Sequence, residues 1–245
     1  MKTVIIVQAR MTSARLLSKV IKSILNKPML EYQLERLMRV ERADSVVVAC
    51  TTNKADAPIV DLCRRMGVAV FRGAEEDVLS RYYGAAKAHR ADVVVRVTSD
   101  CPLIDPQIID AVIRCYRSAP GRYDYVSNTL ERTYPWGMDC EVFSFRILEE
   151  VFVEATDPPD REHVTPFIYK QPQRYHLSNV SYIEDHSHHR WTVDTPEDFE
   201  LIKRIIEALY PVDPSFTLQD CLALLVAHPD WETISANVEQ KAYGQ

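Results

Sequence analysis

Glycine is scarce in this sequence. Only six occur among 245 residues, and none precedes Gly67. The first quarter of the chain therefore has no residue that takes φ > 0 freely or lets bare backbone close on a ligand. No apolar run approaches the ~18 residues of a membrane-spanning helix, and no signal peptide precedes the first apolar segment. A cytoplasmic protein is expected, neither exported nor membrane-bound. Positive charge is in deficit, with a net charge of −6 at pH 7, which argues against broad nucleic-acid binding. The six cysteines (Cys50, Cys63, Cys101, Cys115, Cys140 and Cys221) form no C-x-x-C pair and no repeated spacing. They read as reduced, mostly structural thiols.

What is present begins at Val4-Ile5-Ile6-Val7, a short β-branched run that reads as a strand buried on both faces. It runs into a polar loop carrying Arg10, Arg15 and Lys19. In an acidic chain such local cations carry information, because the overall field does not supply them. Open α/β sheets bind ligands outside the carboxyl ends of their strands. Three cations there suit a polyanion, and a nucleoside triphosphate is the obvious candidate: Arg offers a planar fork and Lys a point charge. The competing reading is a solvated basic loop.

Strand and helix then alternate. Helices are expected over 28–38, 57–66 (ended by Gly67), 75–89 and 106–117, the last capped by Asp105. Strands are expected over 45–50, 68–71 and 92–97. This order calls for α/β architecture, a parallel sheet with helices on both faces. The second half is less regular. Strands are expected over 123–127, 140–145, 175–182 and 190–193, and helices over 146–155, 162–169, 196–209 and 217–228. Thr195 and Pro196 suit a helix start. Asp157-Pro158-Pro159-Asp160 reads as a rigid turn, and the last fifteen residues as a loose tail.

Two expected strands end in a lone carboxylate: that over 92–97 before Asp100, and that over 190–193 before Asp194. Two such acids on one sheet edge suit a shared Mg²⁺, which takes one or two protein carboxylates and completes its octahedron with phosphates and water. The chemistry would be attack on an α-phosphorus, with metal and cations neutralising the transferring group and the leaving pyrophosphate. Caps or turn residues are the alternative role for either acid. His186-Ser187-His188-His189 lacks the matching pair a zinc site needs. Tyr82-Tyr83 reads as packing, and Trp136 as either a pocket wall or an exposed loop aromatic.

Seven stretches in order resemble one family. They are Val7-Gln8-Ala9-Arg10-Met11, Lys27-Pro28-Met29-Leu30-Glu31, residues 71–79, Ser99-Asp100-Cys101-Pro102-Leu103-Ile104-Asp105-Pro106, residues 124–129, Arg161-Glu162-His163-Val164-Thr165-Pro166 and residues 191–198. Together they resemble the cytidylyltransferase family of spore-coat polysaccharide biosynthesis protein F, related to the CMP-sialic-acid and CMP-Kdo synthetases. The resemblance implies a nucleotide-diphospho-sugar-transferase-like, Rossmann-like fold with a mostly parallel central sheet. It implies a Mg²⁺-dependent enzyme that transfers CMP from CTP to a sugar or sugar acid and releases pyrophosphate. By the same likeness Arg10, Lys19, Asp100 and Asp194 are catalytic, and Asp100 and Asp194 hold the metal. Gln8, Ala9, Arg10, Arg15, Lys19 and Ser99 bind the nucleotide. Asp139, Glu141, Arg161 and His163 face the acceptor; Arg161 and His163 either meet an acid's carboxylate with a cation or cap a helix. One domain spans 1–245: a nucleotide half over about 1–120, an acceptor half over about 121–212 and a helical tail beyond. A homodimer is implied, with its surface expected in the irregular segment 123–185. The family usually reads Arg-Leu-Pro-Gly-Lys in the phosphate loop, whereas this chain reads Arg15-Leu16-Leu17-Ser18-Lys19. A side chain at 18 is expected to obstruct the phosphates or force the loop outward. That departure sustains a second reading, a catalytically silent nucleotide- or sugar-binding relative. The shared fold sustains a third, a glycosyltransferase using a finished nucleotide-sugar.

Overall fold

The computed structural model describes residues 1–13 and 15–238. In chain order the strands are β1 (Thr3–Gln8), β2 (Ser23–Ile24), β3 (Lys27–Pro28), β4 (Ser45–Thr51), β5 (Ala69–Gly73), β6 (Val93–Thr98), β7 (Tyr125–Ser127), β8 (Glu141–Ser144) and β9 (Leu177–Asn179). The α-helices are α1 (Met29–Leu37), α2 (Ala57–Met66), α3 (Val78–Ala88), α4 (Pro106–Ser118), α5 (Phe145–Glu154), α6 (Pro158–His163), α7 (Pro166–Tyr169), α8 (Pro196–Leu209) and α9 (Leu218–Ala227). The described residues build a seven-stranded sheet in the order β5-β4-β1-β6-β8-β7-β9. Every pairing is parallel except the two made by β8.

The apolar strands explain the layers. Ile5 and Val7 point into a core with Leu34 of α1, Leu62 of α2 and Ile109 of α4. Val4 and Ile6 point the other way, onto Leu79 and Tyr82 of α3 and Ile147 of α5. Successive strand residues face opposite sides of the sheet, so an all-apolar strand requires helices on both. A third cluster joins α8 and α9 to Leu16, Ile24 and Met29. Tyr82 is fully buried, its hydroxyl donating to the Val97 carbonyl at 2.9 Å, and Tyr83 stacks on Phe152, so this pair is packing. All six cysteines are free thiols, five of them buried. Among the described residues no helix is long and apolar enough to cross a membrane.

The structure corrects several boundaries. α3 starts at Val78 because the Asp77 side chain accepts from the Ser80 amide at 2.9 Å and so ends the preceding loop. The Pro158-Pro159 pair opens α6 instead of making a bare turn, since proline suits a first helical turn. The helix expected over 162–169 divides where Val164 takes φ 72°. Only Leu177–Asn179 of the strand expected over 175–182 is paired. Residues 190–193 form no strand; Arg190 makes a single bridge to Trp136, and the Val193 amide turns to the Asp100 carbonyl instead of a strand partner. Beside Trp136, Gly137 takes φ +102°, and a Cβ on it would stand 2.6 Å from the Trp191 carbonyl oxygen. The β2–β3 hairpin, unmarked in the sequence, turns through Leu25 and Asn26 at positive φ. The tail begins with a 3₁₀ turn, Pro229–Ile234, and residues 239–245 of it lie outside the described residues.

Candidate active site

β1 and β6 are paired to their last residues, Gln8 against Thr98, and both then leave the sheet on one edge. The loop after β1 is tied down where it crosses that edge. Asp56, fully buried, accepts from the Met11 amide at 2.8 Å and from the Thr51 amide and hydroxyl at 2.8 and 2.6 Å. The Thr12 hydroxyl donates to Glu75 at 2.8 Å. Further on, the Ser18 amide returns to the Met11 carbonyl at 3.0 Å. Ser18 takes φ 55°, ψ 26°, the left-handed conformation that glycine adopts without a Cβ penalty. Leu16 packs into the third core cluster, while Leu17 is 70% exposed. Neither Leu17 nor Ser18 lines the cleft beneath. Arg15 and Lys19 on either side of them do border it.

Lys19 shows where the loop ends up. Its ammonium donates to Asp194 at 3.0 Å, to the Val193 carbonyl at 2.7 Å and to Asp100 at 3.4 Å. Arg15 meets Asp194 at 2.9 Å. The two acids converge without a second strand, because the Val193 amide donates to the Asp100 carbonyl at 2.8 Å. From the far side, Arg190 reaches Asp194 at 3.1 Å and Asp198 at 2.9 Å. Asp198 belongs to the capping box of α8 and accepts from the Asp194 amide at 2.9 Å, so the helix start fixes the acid before it. Burial works against charge on Asp100, but the Lys19 ammonium and hydrogen bonds from Thr98 and Cys101 outweigh it, and its pKa falls below the ordinary carboxylate value. The Lys19 ammonium likewise overcomes its burial through both acids and is held more firmly protonated.

These groups line a cleft of about 750 Å³. Gln8, Ala9, Arg10, Arg15, Lys19, Ser99, Asp100 and Asp194 border it from one half of the fold or from its edge, and Asp139, Glu141 and His163 from the other. Arg10 makes no hydrogen bond or ion pair among the described residues. Asp139 takes a two-pronged pair from Arg132 at 2.6 and 2.9 Å, and the Arg132 guanidinium lies 3.8 Å from the Trp136 ring centroid. Glu141 is buried, paired with Arg96, and accepts from the Tyr125 and Thr165 hydroxyls at 2.5 Å each. Arg161 does not reach the cleft. It binds Asp77 at 2.6 Å and the Ala155 carbonyl at 2.8 Å, and so joins α6 to the start of α3.

Sequence reasoning missed Asp56, Arg81, Arg96, Arg132, Glu162 and Arg190. Arg96 carried a usable signal, a lone charge inside the apolar strand Val93–Thr98. The others sit in loops or helices where a charged residue is unremarkable.

The family model described as "Cytidylyltransferase" matches residues 4–223. An uncharacterised protein of Methanocaldococcus jannaschii is 37% identical over 99% of this chain and 98% of its own length. The spore coat polysaccharide biosynthesis protein SpsF of Bacillus subtilis is 29% identical over 93% of this chain and 95% of its own. Among solved structures, a cytidylyltransferase from Leptospira borgpetersenii superposes with a TM-score of 0.91, at 33% identity, covering 99% of this chain and 100% of that one. A CMP-2-keto-3-deoxy-manno-octonic acid synthetase solved with CTP, 16% identical with a TM-score of 0.67 over 84% of this chain and 99% of its own, shares the fold.

Proposed function

Because this chain belongs to the cytidylyltransferase family, we propose that it transfers CMP from CTP to a sugar or sugar-acid hydroxyl and releases pyrophosphate, in the assembly of a surface polysaccharide. The observation that carries the reading is the Lys19 ammonium bonded to both Asp100 and Asp194 at the mouth of one cleft. Loop cations and paired acids meet at a point, as a metal triphosphate requires.

The donor set fits Mg²⁺. Asp100 and Asp194 offer hard carboxylate oxygens. The neighbouring thiol of Cys101 is buried, which pushes its pKa far up and keeps it from acting as a thiolate ligand. When bound, the cation would supply charge neutralisation at the α-phosphate and the leaving oxygen. The remaining work falls to the chain. Arg10, Arg15 and Lys19 hold the β- and γ-phosphates and the charge that collects on pyrophosphate. Were Arg15 and Lys19 to turn to phosphate, Asp100 and the Asp194 oxygen not bonded to Arg190 would be left to hold the metal. Gln8, Ala9 and Ser99 border the nucleotide at the strand ends. The acceptor oxygen bonds to the α-phosphorus, the bond to the bridging oxygen breaks, and the hydroxyl proton passes to solvent. A homodimer meeting through the 123–185 segment belongs to the same reading; Val153 and Ile183 there are 73% and 93% exposed.

Pyrophosphate release with CTP and Mg²⁺ across an acceptor panel tests this. Asp100→Asn is expected to cut release by about 10²–10³, the scale of a lost electrostatic stabiliser, with folding checked by thermal melting. CTP binding without release from any acceptor would sink the proposal and favour the silent relative.

A further inference from the structure

The two acids suited to a metal hold cations of the chain's own. The Lys19 ammonium sits among three oxygens, 2.7 Å from the Val193 carbonyl, 3.0 Å from Asp194 Oδ1 and 3.4 Å from Asp100 Oδ2. Arg15 reaches the same Asp194 oxygen at 2.9 Å. Arg190 takes the other at 3.1 Å and pairs with Asp198 as well. An ammonium among carboxylate and carbonyl oxygens fills the kind of place a hard cation takes.

Charge decides what such a cluster admits. Asp100, Asp194 and Asp198 are balanced by Lys19, Arg15 and Arg190. Arg10 borders the same cleft with no partner among the described residues. A dication arriving alone meets a neutral cluster with a further positive charge beside it. To bind, it must push an ammonium off both acids and offer that ammonium no anion in exchange. A triphosphate reverses the balance. It gives Lys19, Arg15 and Arg10 another anion within reach, and carboxylates left without their cations beside phosphate call for a dication. Lys19 is built to make the exchange. Val20 next to it is fully buried and anchors the backbone, while the ammonium swings on a flexible four-carbon stem.

Resting on the cytidylyltransferase reading, we propose that Lys19 is the acid pair's internal counter-ion, which closes the pair to a lone divalent cation until a triphosphate draws the ammonium away. Metal and nucleotide then load together, and each raises the protein's affinity for the other by the same factor.

The test uses the full chain, Mn²⁺, whose electron-spin-resonance signal reports binding, and α,β-methylene-CTP, which does not react at the α-phosphorus. Wild-type melting should stay unchanged with millimolar Mn²⁺ alone and rise with Mn²⁺ and the nucleotide together, since a ligand stabilises the fold it binds. Lys19→Met removes the ammonium at similar volume. It should melt lower, bind Mn²⁺ without nucleotide about tenfold more tightly than wild type, and recover melting temperature as it does so. Lys19→Arg keeps the charge and should bind Mn²⁺ no better than wild type. Adding Asp100→Asn to Lys19→Met should abolish the gain, which assigns the ion to the acid pair. Wild-type protein that binds Mn²⁺ without nucleotide as tightly as Lys19→Met overturns the inference, and so does a folded Lys19→Met that gains no affinity. Should Lys19→Met fail to fold, the wild-type melts decide: a rise with Mn²⁺ alone that matches the rise with both overturns it. No rise with Mn²⁺ and nucleotide together removes the parent reading, and this one with it.

Discussion

The two sides of the cleft use the same residue types to opposite ends. On the nucleotide side two of the three loop cations are loosely committed, Lys19 being the one held by both acids. Arg10 is unpaired among the described residues, and Arg15, a third exposed, rests on Asp194 by one contact. On the acceptor side each arginine is locked to a carboxylate, Arg96 to Glu141 and Arg132 to Asp139. A cation that can leave its partner is available to a polyanion. One that is buried in a saturated pair, as Arg96 is with Glu141, is architecture, because separating it strands a charge in low dielectric. Counting charged residues in the cleft would have merged these two situations; their hydrogen-bond inventories separate them.

The largest test of that contrast is Glu141→Gln. It leaves Arg96 without a counter-charge under the sheet edge, where removal of one partner of a buried pair costs about 3–5 kcal/mol. At roughly 2–4 °C per kcal/mol for a chain of this size, melting should fall by about 10 °C, while CTP affinity changes less than about twofold once the protein is folded. Unchanged melting with lost CTP binding would reverse the assignment of the two sides. Arg10→Ala should do the converse. Stability stays within about 0.5 kcal/mol, and CTP affinity falls about 10- to 100-fold, the worth of one charged hydrogen bond to phosphate. Calorimetry at two salt concentrations checks it, because the lost contact should also flatten the salt dependence. A melting change with intact affinity would mean that Arg10 braces the loop.

The same contrast explains what could be read in advance. The strand runs Val4–Val7 and Val93–Val97 announce buried parallel strands, and a charge-rich loop after the first announces the nucleotide side, since both signals are local. Asp194 owes its place to contacts that spacing does not show. No strand precedes it; the Val193 amide on the Asp100 carbonyl and the α8 capping box bring it into place. The acceptor side depends on pairs distant in sequence, Arg96 with Glu141 above all, and spacing does not show them. Arg161 illustrates the cost. It lies in a stretch that resembles a binding motif, yet Asp77, from an α3 boundary set by its own cap, claims it.

Ser18 is the smallest test, because it asks whether the nucleotide-side loop is strained by its missing glycine. A serine held left-handed costs about 1–2 kcal/mol, and its side chain makes no capping hydrogen bond that would offset this. Ser18→Gly removes that penalty but gives the unfolded chain more freedom, which returns about 0.5–1 kcal/mol. The difference should leave the protein more stable by up to about 1 kcal/mol, a melting rise of about 2–3 °C. CTP affinity should stay unchanged, since residue 18 does not border the cleft. A fall in melting temperature would show that the serine side chain stabilises the turn. A gain in CTP affinity would show that the side chain does crowd the phosphates after all, with the loop closer to the nucleotide in the complex than in the free protein.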